Sequence, residues 1–151
     1  MKTTVEIIPY YKVAFIRSIG PYGADNVETM EKLKAWAGEK SLLNHDSIIL
    51  GIARDDPSVT KAEDCRYDSC IVISDEYQVD KEYVHEGEIL GGKYVTFEIE
   101  HTAEAVQKAW ADIFRELSKN LFNMDYSRPV IERYDAKMIA KHKCEICIPI
   151  T

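Results

Sequence analysis

The sequence predicts an α+β fold: duplicated β-α-β-β units with pseudo-twofold symmetry, antiparallel sheets and two main helices flanking a central cleft. Three observations carry this prediction. Val13-Ala-Phe15 recurs as Val95-Thr-Phe97. Asp68-Ser-Cys-Ile-Val-Ile-Ser74 is echoed by Glu145-Ile-Cys-Ile-Pro-Ile-Thr151, in the pattern acid, any, cysteine, isoleucine, any, isoleucine, hydroxyl. Between these anchors each half carries apolar residues at helical spacing, which a search for internal repeats is designed to find. They are Val27, Met30, Leu33 and Ala37 in the first half, and Val106, Ala109, Trp110, Ile113, Leu117 and Leu121 in the second.

The elements follow in order. Alternation of polar and apolar residues begins almost at the N-terminus and predicts strand. The strand holding Val13 to Phe15 runs through Gly20-Pro21-Tyr22-Gly23 into the first helix, with Asp25 as a candidate cap. A strand from Ser47 to Arg54, a loop, and the strand ending at Ser74 complete the first unit. A linker of about residues 75–92 is rich in Glu, Asp and Lys, ends in Gly91-Gly92, and has room for a short strand or turn. In the second unit, Thr102 can cap the helix and Glu104 suits its positive end. A strand from Val130 to Asp135 and the terminal strand follow. One domain, 1–151, is expected, with pseudo-repeats of about 1–74 and 93–151. One helix covers each sheet, so a groove should remain where the copies meet, and that groove is the natural ligand site.

Composition narrows the function. A chain of 151 residues is long enough for a sizeable core. With 26 acidic against 19 basic residues, a net charge of -7 and no dense Lys/Arg cluster, it lacks the footprint of a nucleic-acid binder. No apolar run suits a bilayer span and the N-terminus has no secretory pattern, so a cytoplasmic location is expected. Cys144-Glu-Ile-Cys147 has redox or zinc spacing, but it lies in an alternating stretch, which points its two thiols to opposite faces. Cys70 and Cys147 are expected instead as small core hydrophobes. His45, His85, His101 and His142 lack metal-ligand spacing, and no phosphate, dinucleotide or serine-nucleophile motif occurs. Neither a metal nor another cofactor is expected.

The residue that does not fit is Glu132, in Arg128-Pro-Val-Ile-Glu-Arg-Tyr-Asp135. Alternation places it beside Val130 and Tyr134 on one strand face. Laying the halves over each other sets Leu50-Gly51-Ile52-Ala53 against Ile131-Glu132-Arg133-Tyr134, so Gly51 and Ala53 leave room beside a carboxylate. Three readings stand: a surface acid paired with Arg133 or Arg128, a counter-charge for a cationic guest among aromatic rings, and a general acid or base whose pKa a cleft has raised. Tyr67, Trp110 and Tyr134 are candidate cleft walls. Trp36 and Tyr22 are candidates for its mouth, and Tyr67 or Tyr134 would orient water or a leaving group in an enzyme.

Gly20-Pro21-Tyr22, Asp56-Pro57, Arg66-Tyr67-Asp68, Gly92-x-Tyr94, Ile131-Glu132-x-Tyr134 and Ile148-Pro149-Ile150, in this order and spacing, resemble the GyrI-like small-molecule-binding family. That family includes the DNA gyrase inhibitory protein and effector-binding domains of AraC- and MerR-type multidrug regulators. The resemblance implies a duplicated fold around a hydrophobic cleft whose buried glutamate, here Glu132, meets lipophilic cations. It also implies a copy without a DNA-binding domain. The implied partner is a small amphipathic or cationic organic molecule. The resemblance keeps two alternatives open, a glutamate-dependent hydrolase of strained toxins and an interaction protein that meets a topoisomerase or a regulator. Ala103 stands where many relatives have glycine.

Overall fold

The computed structural model describes residues 1–80 and 82–151. The strands are β1 (Lys2–Ile8), β2 (Tyr11–Ile19), β3 (Ile48–Ala53), β4 (Arg66–Ile73), β5 (His85–Ile89), β6 (Gly92–Glu100), β7 (Ile131–Asp135) and β8 (Lys143–Pro149). The helices are α1 (Ala24–Glu39), α2 (Ala103–Lys119) and the short α3 (Ala136–Ile139). The two halves join into one antiparallel sheet of order β1-β6-β8-β7-β3-β4-β2-β5.

From the centre outward, β3-β4-β2-β5 mirrors β7-β8-β6-β1. Each unit therefore has a leading strand beyond the expected β-α-β-β, and the two units exchange it. β1 leads into β2 but pairs with β6, and β5, which arises from the linker, leads into β6 but pairs with β2. Only Pro9 and Tyr10 connect β1 to β2, which lie six places apart in the sheet. A flat sheet would put those strands roughly 29 Å apart, whereas a two-residue link reaches about 11 Å. The sheet must roll. Where the two short links cross, a Cβ on Gly91 would lie 2.2 Å from the Ile8 carbonyl oxygen, so only glycine fits.

Inside the roll, Ile8, Val13, Leu50, Ile52, Cys70, Ile89, Tyr94, Ile131 and Cys147 form a core with no helix over it. The helices cover the outer face. Leu33, Trp36 and Ala37 of α1 pack on Ala14, Ile49, Ile71 and Ile73, while Ala109, Ile113 and Leu117 of α2 pack on Phe97, Ile99, Cys144 and Ile146. Cys144 and Cys147 thus occupy different cores on opposite sheet faces, as strand alternation requires.

Local chemistry explains the helix ends. Thr102 accepts a hydrogen bond from the Ala105 N–H at 3.1 Å and caps α2. Asp25 does not cap α1; Gly23 holds that position with no side-chain cap, and Asp25 lies in the first turn. Both helices end alike. Ser41 and Leu121 take the left-handed conformation, at φ 58 in each case. Leu42 N–H bonds Ala37 C=O and Phe122 N–H bonds Leu117 C=O, the crossed pattern of a Schellman end. Two expected core positions are overturned. Val27 and Leu121 are exposed, because Val27 lies on the open side of the first turn and Leu121 has already left the helix.

Candidate functional site

The halves meet where β3 pairs with β7, in the register Ile49 to Tyr134, Leu50 to Arg133 and Gly51 to Glu132. Glycine and glutamate are direct cross-strand partners. Tyr134 faces Ile49 rather than Ala53, because β3 and β7 run antiparallel and the duplication alignment does not carry over to spatial pairing.

Glu132 projects onto the helix-bearing face. The Tyr67 hydroxyl donates to Glu132 Oε1 at 2.9 Å, and the Tyr134 hydroxyl donates to Oε2 at 3.2 Å. Tyr67 comes from β4 and must pass over β3 to reach the carboxylate. The missing side chain of Gly51 makes that path: a Cβ there would lie 2.1 Å from Tyr67 Oη and 3.1 Å from Glu132 Oε1. The asymmetry of the repeat is the space that the hydrogen bond occupies.

Neither arginine expected as a partner reaches Glu132. Arg133 points to the other sheet face and bonds Glu6 and Glu145, and Arg128 bonds Asp125. Among the described residues no cation pairs with Glu132. Burial pushes its carboxyl pKa up by more than the two phenol donors pull it down. Burial and the neighbouring carboxylate push both tyrosine hydroxyls up in turn, which keeps them protonated as donors.

Two cavities flank the acid, and Asn26, Tyr67 and Glu132 line both. One, of about 540 Å³, lies under α1 and is walled by Val27, Met30, Ile49, Tyr134 and Ile139, with Glu31, Lys34 and His101 also lining it. His101 lies 5.7 Å, centroid to centroid, from the Tyr134 ring. The other, of about 1260 Å³, is lined by Tyr22, Ala53, Trp110, Phe114, Met124 and Tyr126, together with several arginines. Both volumes suit organic ligands.

Of the residues chosen from sequence, Glu132, Tyr67, Tyr134 and Gly51 converge on one point, and Tyr22, Trp110 and Ala53 line the larger cavity. Tyr22 is pinned there, its oxygen 2.8 Å from the Arg66 carbonyl and its ring packed edge-on to Tyr67. Trp36 goes elsewhere. It is 2% exposed in the α1 core beside Tyr77 and lines neither cavity. Met30 and Val27, assigned from their spacing to the core stripe, are cavity wall instead. Helical periodicity reports which face is apolar, not whether protein or ligand covers it. Phe114 and Tyr126 carried no motif; both are exposed, and they line the larger cavity from α2 and from the loop before β7. Among the described residues no His, Cys, Asp and Glu group could hold a metal, and no helix is long and apolar enough to cross a membrane.

The model of the GyrI-like small molecule binding domain matches residues 1–151. The chain belongs to this family. It is 43% identical over 151 residues to the "SPbeta prophage-derived putative transcriptional regulator YosT" of Bacillus subtilis (strain 168), covering 99% of each. Among solved structures it resembles the EcmrR C-terminal domain, with a TM-score of 0.73 at 15% identity, covering 99% of this chain and 97% of that one. It also resembles SAV2435 bound to tetraphenylphosphonium, with a TM-score of 0.64 at 15% identity, covering 100% and 94%. The GyrI-like domain is one that binds small molecules, and this chain carries it from end to end.

Proposed function

We propose that the cleft of this GyrI-like domain binds amphipathic organic cations, with Glu132 as counter-charge and Tyr67, Tyr134 and Trp110 as aromatic walls, and that the protein acts by sensing or sequestering them. One observation carries the reading: a sheltered carboxylate, hydrogen-bonded only by neutral phenols and without a cationic partner among the described residues, opens onto two cavities that combine apolar and aromatic walls with charged residues. Such a charge is costly to bury alone, and a cationic guest offsets that cost on arrival. The aromatic faces add about 0.5 to 2 kcal/mol each through cation–π attraction. That a fold neighbour holds tetraphenylphosphonium is consistent with this chemistry.

The test compares tetraphenylphosphonium with neutral triphenylphosphine oxide by calorimetry. Wild type should prefer the cation, and Glu132→Gln should remove that preference while retaining the neutral compound. Equal losses for both would refute the counter-charge role.

The raised pKa of Glu132, with two phenols on its oxygens, also favours a second reading, a hydrolase in which Glu132 moves a proton. There, Glu132→Gln would retain binding and stop turnover. A panel of strained electrophiles yielding no Glu132-dependent product would exclude it.

A further inference from the structure

The larger cavity also carries the opposite charge. Asp68 is fully buried and accepts three N–H bonds: Arg17 Nε at 2.7 Å, Arg17 Nη2 at 2.9 Å and Arg54 Nε at 2.8 Å. Burial would raise its pKa, but the two guanidiniums outweigh burial and hold it below the usual carboxylate range. Two cations thus converge on one anion, which leaves one positive charge in excess. Arg17 and Arg54 are 34% and 29% exposed, and both line the cavity that Glu132 lines.

Neither neighbouring acid forms an ion pair with Arg17 or Arg54. Asp55 is taken by Arg66, which bonds it through Nε, Nη2 and the backbone N–H and holds its pKa down to about 2. Asp56 accepts from the Ser58 N–H and hydroxyl. Among the described residues, both terminal nitrogens of Arg54 and Arg17 Nη1 lack a protein acceptor. A guanidinium fork with free terminal N–H groups matches the paired oxygens of a carboxylate or phosphate. Arg54 follows the last residue of β3, three residues along from Gly51 and on the sheet face opposite to Glu132, with the two backbones about 11 Å apart and the cavity reaching both at the strand end.

We infer that Arg17 and Arg54 form an anion subsite, so that the preferred guest of this cleft is a zwitterion or acidic amphiphile: an organic cation at Glu132 joined through an aromatic or alkyl body to a carboxylate or phosphate at the arginine pair. The cationic half rests on the function proposed above, and the anionic half does not. Tyr22, Tyr67, Trp110 and Phe114 supply the apolar wall for the body of such a guest. A simple lipophilic cation fills only half of this site.

Rhodamine B and its ethyl ester separate the two halves, since they share a cationic ring system and only the acid has a free carboxylate. Anisotropy titrations of the full chain should show the acid binding about tenfold more tightly than the ester, as expected of one charge-assisted contact. That ratio should fall to about one in Arg54→Gln and in Arg54→Lys, the lysine keeping a charge for Asp68 without the fork. Glu132→Gln should weaken both dyes and leave the ratio unchanged. An acid bound no more tightly than its ester, or a ratio that survives both Arg54 variants, overturns the subsite. Should neither dye bind, phenylphosphate decides. A saturable rise in melting temperature in wild type and Glu132→Gln, absent in both Arg54 variants, sustains the anion site without the cation reading. No rise in wild type overturns it.

Discussion

Gly51→Ala tests the central geometry with a single methyl group. Nothing in the backbone forbids the change, since Gly51 is not among the positive-φ glycines and sits inside β3. Removing unfolded-state freedom should by itself stabilise the protein by about 0.4 to 1 kcal/mol. The new Cβ, however, would lie 2.1 Å from Tyr67 Oη and 3.0 Å from its Cζ, so the phenol must leave. Its hydrogen bond to the carboxylate is worth about 1.5 to 3 kcal/mol, and Glu132 would then lose one of its two donors. The net expectation is a destabilisation of about 1 to 2 kcal/mol in urea denaturation. In a Tyr67→Phe background the 2.1 Å clash disappears with the hydroxyl, and the 3.0 Å approach of the ring and the 3.1 Å approach of Glu132 Oε1 remain, both to side chains that can shift by a few tenths of an ångström. The same methyl group should cost at most a few tenths of a kcal/mol there. The difference is a coupling energy of at least about 1 kcal/mol in a double-mutant cycle. A neutral Gly51→Ala in wild type, or an equal cost in both backgrounds, would refute the claim that this glycine exists to pass the tyrosine to the glutamate.

Other consequences follow from the same arrangement. Because burial holds the folded-state pKa of Glu132 above that of an ordinary carboxylate, its ionisation lowers stability as pH rises from the unfolded pKa through the folded one. Ligand-free Glu132→Gln should therefore equal or exceed wild type in stability at pH 7, with the advantage vanishing on acidification; a variant less stable at neutral pH than in acid would contradict this. Affinity for a permanent cation should fall as pH drops through that raised value, and calorimetry across pH 4 to 8 would detect it. The Asp68 pKa is lowered, so its contribution is present above the unfolded pKa and lost as pH falls through the folded one. Asp68→Asn, which strands two guanidiniums, should cost about 3 kcal/mol in denaturant melts. Leu121→Gly should stabilise by about 0.5 to 1 kcal/mol, since an exposed leucine at φ 58 gains nothing from packing and pays for a left-handed backbone.

The duplicated units, the capped second helix and the acid beside aromatics were legible because each depends on local pattern. Val13 and Val95 mark equivalent strands, Thr102 caps where a cap was expected, and Glu132 breaks an apolar face. The exchange of leading strands was not legible. β1 and β5 alternate like any strand, and nothing in Lys2 to Ile8 or His85 to Ile89 states which neighbour they choose. That choice is made by the two-residue links and by Gly91, whose role appears only where two chain segments cross. Trp36 misled because a tryptophan at helical spacing reads identically over a core and over a cleft. The Arg17 and Arg54 pair was invisible because strand pairing unites residues 17, 54 and 68 around one carboxylate, and no local window contains all three.

Divergence between the halves follows from where the pseudo-axis runs. It passes between β3 and β7 at Gly51 and Glu132, the equivalent positions of the repeat that are also direct cross-strand partners. Two glutamates would bury like charges against each other, and two glycines would leave a void. Only an unequal pair puts a single charge near the axis with space beside it. The same logic reaches the inner face. Asp68 in the first half holds two arginines, whereas its counterpart Glu145 shares a single arginine, Arg133, with Glu6. One cluster carries an excess positive charge and the other an excess negative one, so each offsets the other across the molecule while leaving its own neighbourhood unbalanced. Only the first-half cluster opens onto the cavity at Glu132.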